Sequence, residues 1–126
     1  MKQFIILVFA LLFIFSCNNK IVKFNSDKVQ LLNIDNNQKF ILTFESTPSS
    51  GYNWILASNS DTSVVKFINK EIEKEIKNSK ILGGKVNEKW EFKANKKGKA
   101  NLVFYYKRNW EDKAPIDSAL YNIKVK

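Results

Sequence analysis

Short stretches in which apolar and polar residues alternate recur along most of this sequence, and they restrict the possible fold more than any other feature. Residues 39–45 place Phe40, Leu42 and Phe44 on one side of the chain, and residues 100–107 repeat the pattern. An alternation with period two is typical of a β-strand that buries one face. Because turn-forming residues separate these stretches about every ten residues, the sequence predicts an all-β fold, an immunoglobulin-like antiparallel β-sandwich of seven or eight strands.

The same pattern predicts the remaining strands at 21–24, 29–34, 52–56, 64–68, 85–94 and 120–126. The segment 69–80 is ambiguous, because Ile68, Ile72 and Ile76 recur every four residues, a spacing that suits a helix as well as one face of a strand. We expect the strand to lead into an irregular loop there. Residues 95–98 end in glycine and are expected to form a hairpin turn. The large residues on the strand faces should form the core: Leu42, Trp54, Trp90, Phe92 and Phe104.

The first 16 residues differ in composition from the rest of the chain. Residues 4–15 are all apolar, follow the basic Lys2 and lead to the small Ser16. These are the parts of a secretory signal peptide, and the run is shorter than the roughly 20 residues of a transmembrane helix. A short membrane helix or a buried core helix is the alternative. We expect a signal peptide over 1–16, a tether over 17–20 and a single domain over 21–126.

Cys17, the only cysteine, directly follows the apolar run and Ser16. This arrangement resembles the lipoprotein signal of bacteria, in which an aliphatic and a small residue precede a cysteine. The resemblance implies that Cys17 carries a lipid and becomes the first residue of an exported protein attached to a membrane of the cell envelope. The alternative is a secreted protein whose cysteine has no such role.

The composition excludes most catalytic and metal sites. The chain has no histidine and one cysteine, which rules out histidine-dependent triads, Cys-His dyads, histidine-ligated metals and an intramolecular disulfide. Glu88 and Glu91 are expected on opposite faces of one strand, and Glu111 and Asp112 are neighbours in a loop, so neither pair suits acid–base catalysis. We therefore expect no enzyme activity, no cofactor and no metal.

The formal net charge of +9 raises the possibility of a nucleic-acid partner. Of the 21 basic residues, however, only Arg108 is an arginine, whereas bidentate contacts to bases and phosphates favour arginine. The signal peptide also directs the chain out of the cytoplasm. We expect no nucleic-acid partner.

Three loops have compositions that suit binding. In residues 47–52, Pro48 fixes its own φ and Gly51 permits a positive one, which predicts a stiff, narrow protrusion; a structural turn is the alternative. Arg108 and Trp110 belong to residue types enriched at binding hot spots. The alternative is a tryptophan folded back on the core, with the arginine stacked on it. Two glycines at 83–84 mark a loop that can approach a partner closely.

Together these segments resemble the chagasin family, inhibitors of papain-like cysteine peptidases. The first loop of that family reads Asn-Pro-Thr-Thr-Gly-aromatic, with a tryptophan two residues later. The second is a Gly-x-Gly-Gly segment after leucine, and the third is Arg-Pro followed by an aromatic residue. The matching positions here are Pro48, Ser49, Ser50, Gly51, Tyr52 and Trp54, then Leu82, Gly83 and Gly84, then Arg108 and Trp110. The departures are Thr47 for asparagine, Lys85 and Val86 for glycines, and Asn109 for proline.

The resemblance implies a reversible inhibitor that blocks a papain-like cysteine peptidase by occlusion, with the serine tip over the catalytic cysteine. We expect a monomer whose partners are the peptidase and, through Cys17, a membrane. A cell-envelope binding or adhesion lipoprotein without inhibitory activity is the alternative. The implied peptidase-binding residues are Thr47, Pro48, Ser49, Ser50, Gly51, Tyr52, Leu82, Gly83, Gly84, Arg108 and Trp110.

Overall fold

Eight strands in two four-stranded sheets make up the part of the chain described by the structure, a computed structural model covering residues 22–25, 29–74 and 84–126. The strands are β1 (Val22–Asn25), β2 (Val29–Ile34), β3 (Lys39–Ser46), β4 (Asn53–Leu56), β5 (Val65–Lys74), β6 (Val86–Ala94), β7 (Gly98–Lys107) and β8 (Asp117–Val125). The first sheet has the order β1-β3-β6-β5 and the second has the order β2-β8-β7-β4. The predicted all-β sandwich is confirmed.

The two N-terminal strands lie in different sheets and pair in parallel with their neighbours. β1 pairs with β3 in the first sheet, and β2 pairs with β8 in the second. The other strand pairings are antiparallel. The chain therefore crosses from one sheet to the other between its first two strands.

The core lies between the inner faces of the two sheets, as the period-two pattern predicts. The ring of Phe44 is at its centre, 4.6 Å from the ring of Trp54 and 4.7 Å from that of Phe104, measured between centroids. The edge of the Tyr121 ring closes the same cluster, with centroids 6.0 Å apart. All five residues predicted to form the core are buried: Leu42, Trp54, Trp90, Phe92 and Phe104.

The strand that was expected to lead into a loop occupies the first half of the ambiguous segment 69–80. β5 runs without interruption to Lys74, so residues 69–74 are strand, while residues 75–80 lie outside the described residues. A β-bulge between Phe67 and Asn69 inserts Ile68 as an extra residue opposite β6. Because an extra residue exchanges the two faces of a strand, isoleucines spaced four residues apart across the bulge no longer lie on one face.

Residues 95–98 do not form the expected hairpin turn, because they connect β6 to β7, which belong to different sheets. The backbone N–H of Asn95 donates to the carbonyl of Val64 at 3.0 Å. Gly98 has a φ of 146°, and a Cβ built on it would lie 2.9 Å from Val64 Cγ1. Glycine is therefore favoured at position 98, because it tolerates the positive φ and leaves room for the side chain of Val64.

Residues 1–21, which include the expected signal peptide and Cys17, lie outside the described residues. Within the described ranges no helix has the length and apolar character needed to cross a bilayer. The same ranges bring together no group of three or more histidine, cysteine or acidic side chains that could hold a metal ion.

Candidate functional site

Strand register brings the loops singled out in the sequence to one end of the sandwich. Ser46, the last residue of β3, pairs with Val86, the first of β6. Asn53, the first residue of β4, pairs with Lys107, the last of β7. These four strand ends therefore lie at one end of the sandwich, together with the first loop, Gly84 and the start of the third loop.

The first loop, residues 47–52, contains a single 3-10 turn over Pro48–Ser50. The N–H of Ser50 donates to the carbonyl of Thr47 at 3.0 Å, and the N–H of Gly51 donates to that of Pro48 at 2.9 Å. Gly51 ends the turn with a φ of 81°, in the left-handed region that favours glycine. The composition that predicts a stiff loop thus corresponds to a hydrogen-bonded turn.

The two serines of the first loop have different surroundings. The hydroxyl of Ser50 donates to the carbonyl of Thr47 at 2.5 Å and accepts the N–H of Tyr52 at 3.4 Å. Ser49 is exposed, whereas Ser50 is half-buried. The sequence treats the two hydroxyls as equivalent, but only Ser49 forms the exposed tip.

Arg108, at the start of the third loop, holds the first loop in place. Its Nε donates to the carbonyl of Ser50 at 3.0 Å, and its guanidinium carbon lies 4.5 Å from the ring centroid of Tyr52. Its Nη1 pairs with Glu111 Oε1 at 3.1 Å. The arginine therefore stacks on Tyr52, and the alternative in which it stacks on Trp110 is wrong.

Trp110 stands at the surface beside the first loop, with 70% of its area exposed. A Cβ built on Gly51 would lie 2.9 Å from Cζ2 of the indole and nearer still to Cη2. The indole thus lies against the backbone of the first loop and is not folded back on the core. A large exposed aromatic side chain at a loop end is typical of a binding surface.

The second loop is described only at its end, since Leu82 and Gly83 lie outside the described residues. Gly84 and Lys85 are exposed and directly precede β6. Lys85 Nζ lies 2.6 Å from Glu45 Oε1, and both side chains are more than half exposed, at 64% and 52%. This surface ion pair joins the second loop to the end of β3 but contributes little to stability.

Tyr106 is a structural residue of this site that sequence reasoning missed. Its hydroxyl accepts the N–H of Thr47 at 3.1 Å, and its ring lies 5.5 Å from that of Tyr52 and 5.1 Å from that of Trp54. The alternation places it only on the inner face of β7. A tyrosine on the inner face near a strand end was the available signal, because buried tyrosine hydroxyls usually find a partner.

Residues 33–125 match the family model of the chagasin family peptidase inhibitors, I42. The chain belongs to the chagasin family. This is a family of peptidase inhibitors and not of enzymes, which agrees with the prediction from composition. Among curated protein sequences, none matches this chagasin-family chain significantly.

Several solved structures resemble this chagasin-family chain. The cysteine protease inhibitor EhICP2 from Entamoeba histolytica is 24% identical with a TM-score of 0.74, over 84% of this chain and 96% of that one. Amebosin is 14% identical with a TM-score of 0.67, over 85% and 99%. PbICP-C, solved in complex with falcipain-2, is 16% identical with a TM-score of 0.57, over 86% and 92%. At these identities the likeness establishes the fold.

Gly51→Ala is expected to displace Trp110 and to weaken any binding that uses it. The left-handed φ costs an alanine roughly 1–2 kcal/mol of folding stability. The added Cβ also forces the indole to move, for which we expect a roughly fivefold weaker inhibition of a papain-like peptidase. Gly98→Ala is the matched control, because it also strains a positive φ, but at the opposite end of β7. Equal inhibition constants for the two folded variants would contradict this prediction.

Proposed function

We propose that this chain is a reversible inhibitor of papain-like cysteine peptidases that acts by occlusion from a lipid anchor at Cys17. One observation carries the inhibitory part: Arg108 fixes the first loop beside Trp110 at one end of the sandwich. Family membership supports inhibition of a peptidase. The complex of the structural neighbour PbICP-C with falcipain-2 supports a peptidase of this class as partner.

The shape of the first loop suits entry into a cleft without cleavage. Its exposed tip carries the small side chain of Ser49, so the backbone can approach a catalytic centre closely. The tip backbone is a 3-10 turn held by internal hydrogen bonds, and it does not offer the extended segment that a peptidase hydrolyses. Because the loop is already ordered, binding costs little conformational entropy, which favours tight association.

The surface position of Trp110 favours this function over an adhesion lipoprotein without inhibitory activity. A tryptophan in the core, far from the first loop, would favour the second function. Trp110 is instead 70% exposed and lies against Gly51. The aromatic side chain and the loop tip can therefore contact one partner together.

The direct test is titration of residues 18–126 against papain with a fluorogenic substrate. We expect stoichiometric loss of activity, recovery of activity on large dilution, and an intact inhibitor band after prolonged incubation. Papain whose catalytic cysteine has been blocked by a small alkyl group should still bind, since no covalent bond is formed. Inhibition that does not reverse, or cleavage of the loop, would contradict the occlusive mechanism.

Ser49→Arg tests whether the tip enters the cleft. A long charged side chain at the exposed tip would meet the walls of a narrow cleft, so we expect the inhibition constant to rise about tenfold or more. Ser49→Ala is the control and should change it by less than about twofold, because it keeps the tip small. If the arginine variant inhibits as well as the original protein, the tip does not enter the cleft.

The lipid anchor is tested with Cys17→Ala in the full chain expressed in a bacterium. We expect the variant to leave the membrane fraction after a carbonate wash and to incorporate no labelled fatty acid, because no other thiol is present. Asn18→Ala, at the neighbouring position, should behave as the original protein does. Retention of the cysteine variant in washed membranes would identify the apolar run as the anchor.

A further inference from the structure

Glu88 lies in the core of the sandwich, outside the binding surface described above. Among the described residues it is the only charged side chain classed as buried, with 0% of its area exposed. On β6 it pairs in register with Phe44 of β3 and Ile72 of β5. Because a carboxylate loses much hydration free energy on burial, the groups that hold it must be placed specifically.

Two groups from different sheets hold this carboxylate. Its Oε1 lies 2.7 Å from the Nζ of Lys70 on β5, and that ammonium also lies 4.7 Å from the ring centroid of Trp90. Its Oε2 accepts the backbone N–H of Trp54 at 3.3 Å. Since Trp54 belongs to β4, Glu88 joins the two sheets through a charge-assisted hydrogen bond.

β4 directly follows the first loop and has few contacts that fix its position. It has four residues, forms the edge of the second sheet and pairs there with β7 alone. The indole Nε1 of Trp54 donates to the carbonyl of Glu45 on β3 at 3.1 Å. The side-chain and main-chain N–H groups of Trp54 therefore both bind the start of β4 to the first sheet. These bonds fix the distance between the end of β3 and the start of β4, which the first loop must span.

We propose that Glu88 is a positioning residue for the first loop: paired with Lys70, it holds the main-chain N–H of Trp54 and so sets how residues 47–52 lie against Trp110. The consequence for inhibition rests on the proposed function. Buried ion pairs contribute little net stability, because desolvation offsets their attraction. The contribution of Glu88 is thus the orientation of β4, and replacing both members of the pair by apolar side chains should leave the fold intact.

The test compares Glu88→Leu with Glu88→Gln in the chain from residue 18 to 126. Glutamine keeps an acceptor oxygen in the same place, whereas leucine removes it at similar volume. For Glu88→Leu we expect an inhibition constant against papain about tenfold higher. We also expect a lower melting temperature, because the ammonium of Lys70 and the N–H of Trp54 lose their partner, and a melting curve must show that the variant is folded at the assay temperature. Glu88→Gln should inhibit within about threefold of the original protein. Deuterium uptake of a peptide covering 47–54 should rise in the leucine variant alone, in the absence of peptidase.

Unchanged inhibition and unchanged uptake in a folded Glu88→Leu variant would overturn the proposal. Equal losses in the leucine and glutamine variants would also overturn it, since the charge and not the acceptor would then matter. Should Glu88→Leu fail to fold, Lys70→Met combined with Glu88→Leu replaces the whole pair by apolar side chains and is judged by the same two readouts. If the original protein does not inhibit papain, the proposed function fails, while deuterium uptake alone still decides the role of Glu88.

Discussion

Trp110→Ala is expected to weaken peptidase binding by about 30-fold, equivalent to roughly 2 kcal/mol or more. The side chain is 70% exposed in the free protein, so a partner that covers it gains a large apolar surface. Its position against Gly51 places that surface directly beside the loop tip. The inhibition constant against papain measures the effect, and a melting curve should show an intact fold because the indole lies outside the core.

Leu31→Ala is the matched control for this experiment. Leu31 is 72% exposed, close to the exposure of Trp110, but it lies on β2, at the edge of the second sheet opposite β4. Its removal should leave the inhibition constant unchanged. Equal inhibition by the Trp110 and Leu31 variants would show that the aromatic side chain is not part of the binding surface.

Trp54→Ala is expected to cost about 3–5 kcal/mol of folding stability, a large share of the total for a domain of this size. The indole is 5% exposed, stacks on Phe44 at 4.6 Å and on Tyr106 at 5.1 Å, and donates to the carbonyl of Glu45. Alanine would leave a cavity in the core and remove the indole donor from the Glu45 carbonyl. The midpoint of urea unfolding should fall markedly.

Trp110→Ala also serves as the control for the Trp54 variant, because it makes the same substitution at the surface. Its urea midpoint should stay close to that of the original protein. Of the two tryptophan substitutions, therefore, only Trp54→Ala should lower the urea midpoint markedly. A Trp54 variant as stable as the original would mean that the inner face of β4 is assigned incorrectly.

The strands and core could be predicted because period-two alternation is a local property of the sequence. Phe40, Leu42 and Phe44 are all fully buried, as their spacing indicates. The course of β5 could not be predicted in the same way, because the bulge at Ile68 exchanges the faces partway along the strand. The turn at 95–98 was misread for a related reason, since turn composition predicts a change of direction but not which sheet the next strand joins.

The loop motifs identified the residues of the site, but not which of them hold the first loop in place and which are exposed for binding. Pro48 and Gly51 predict a stiff turn because both act on their own backbone angles. The role of Arg108 depends on a hydrogen bond to Ser50, which lies 58 positions earlier in the chain. The role of Tyr106 depends on a hydrogen bond to Thr47, which lies 59 positions earlier. Such contacts follow from strand register, which a single sequence does not specify.

The parallel pairing of β1 with β3 determines where a pull on the N-terminus is applied. Val22 pairs with Phe40 near the start of β3, so the N-terminal end of β1 lies far from the end of β3 that leads into the first loop. The proposed lipid anchor and a bound peptidase would thus pull on opposite ends of two adjacent parallel strands. Their hydrogen bonds would be loaded together in shear, a geometry that resists mechanical rupture better than peeling one bond at a time.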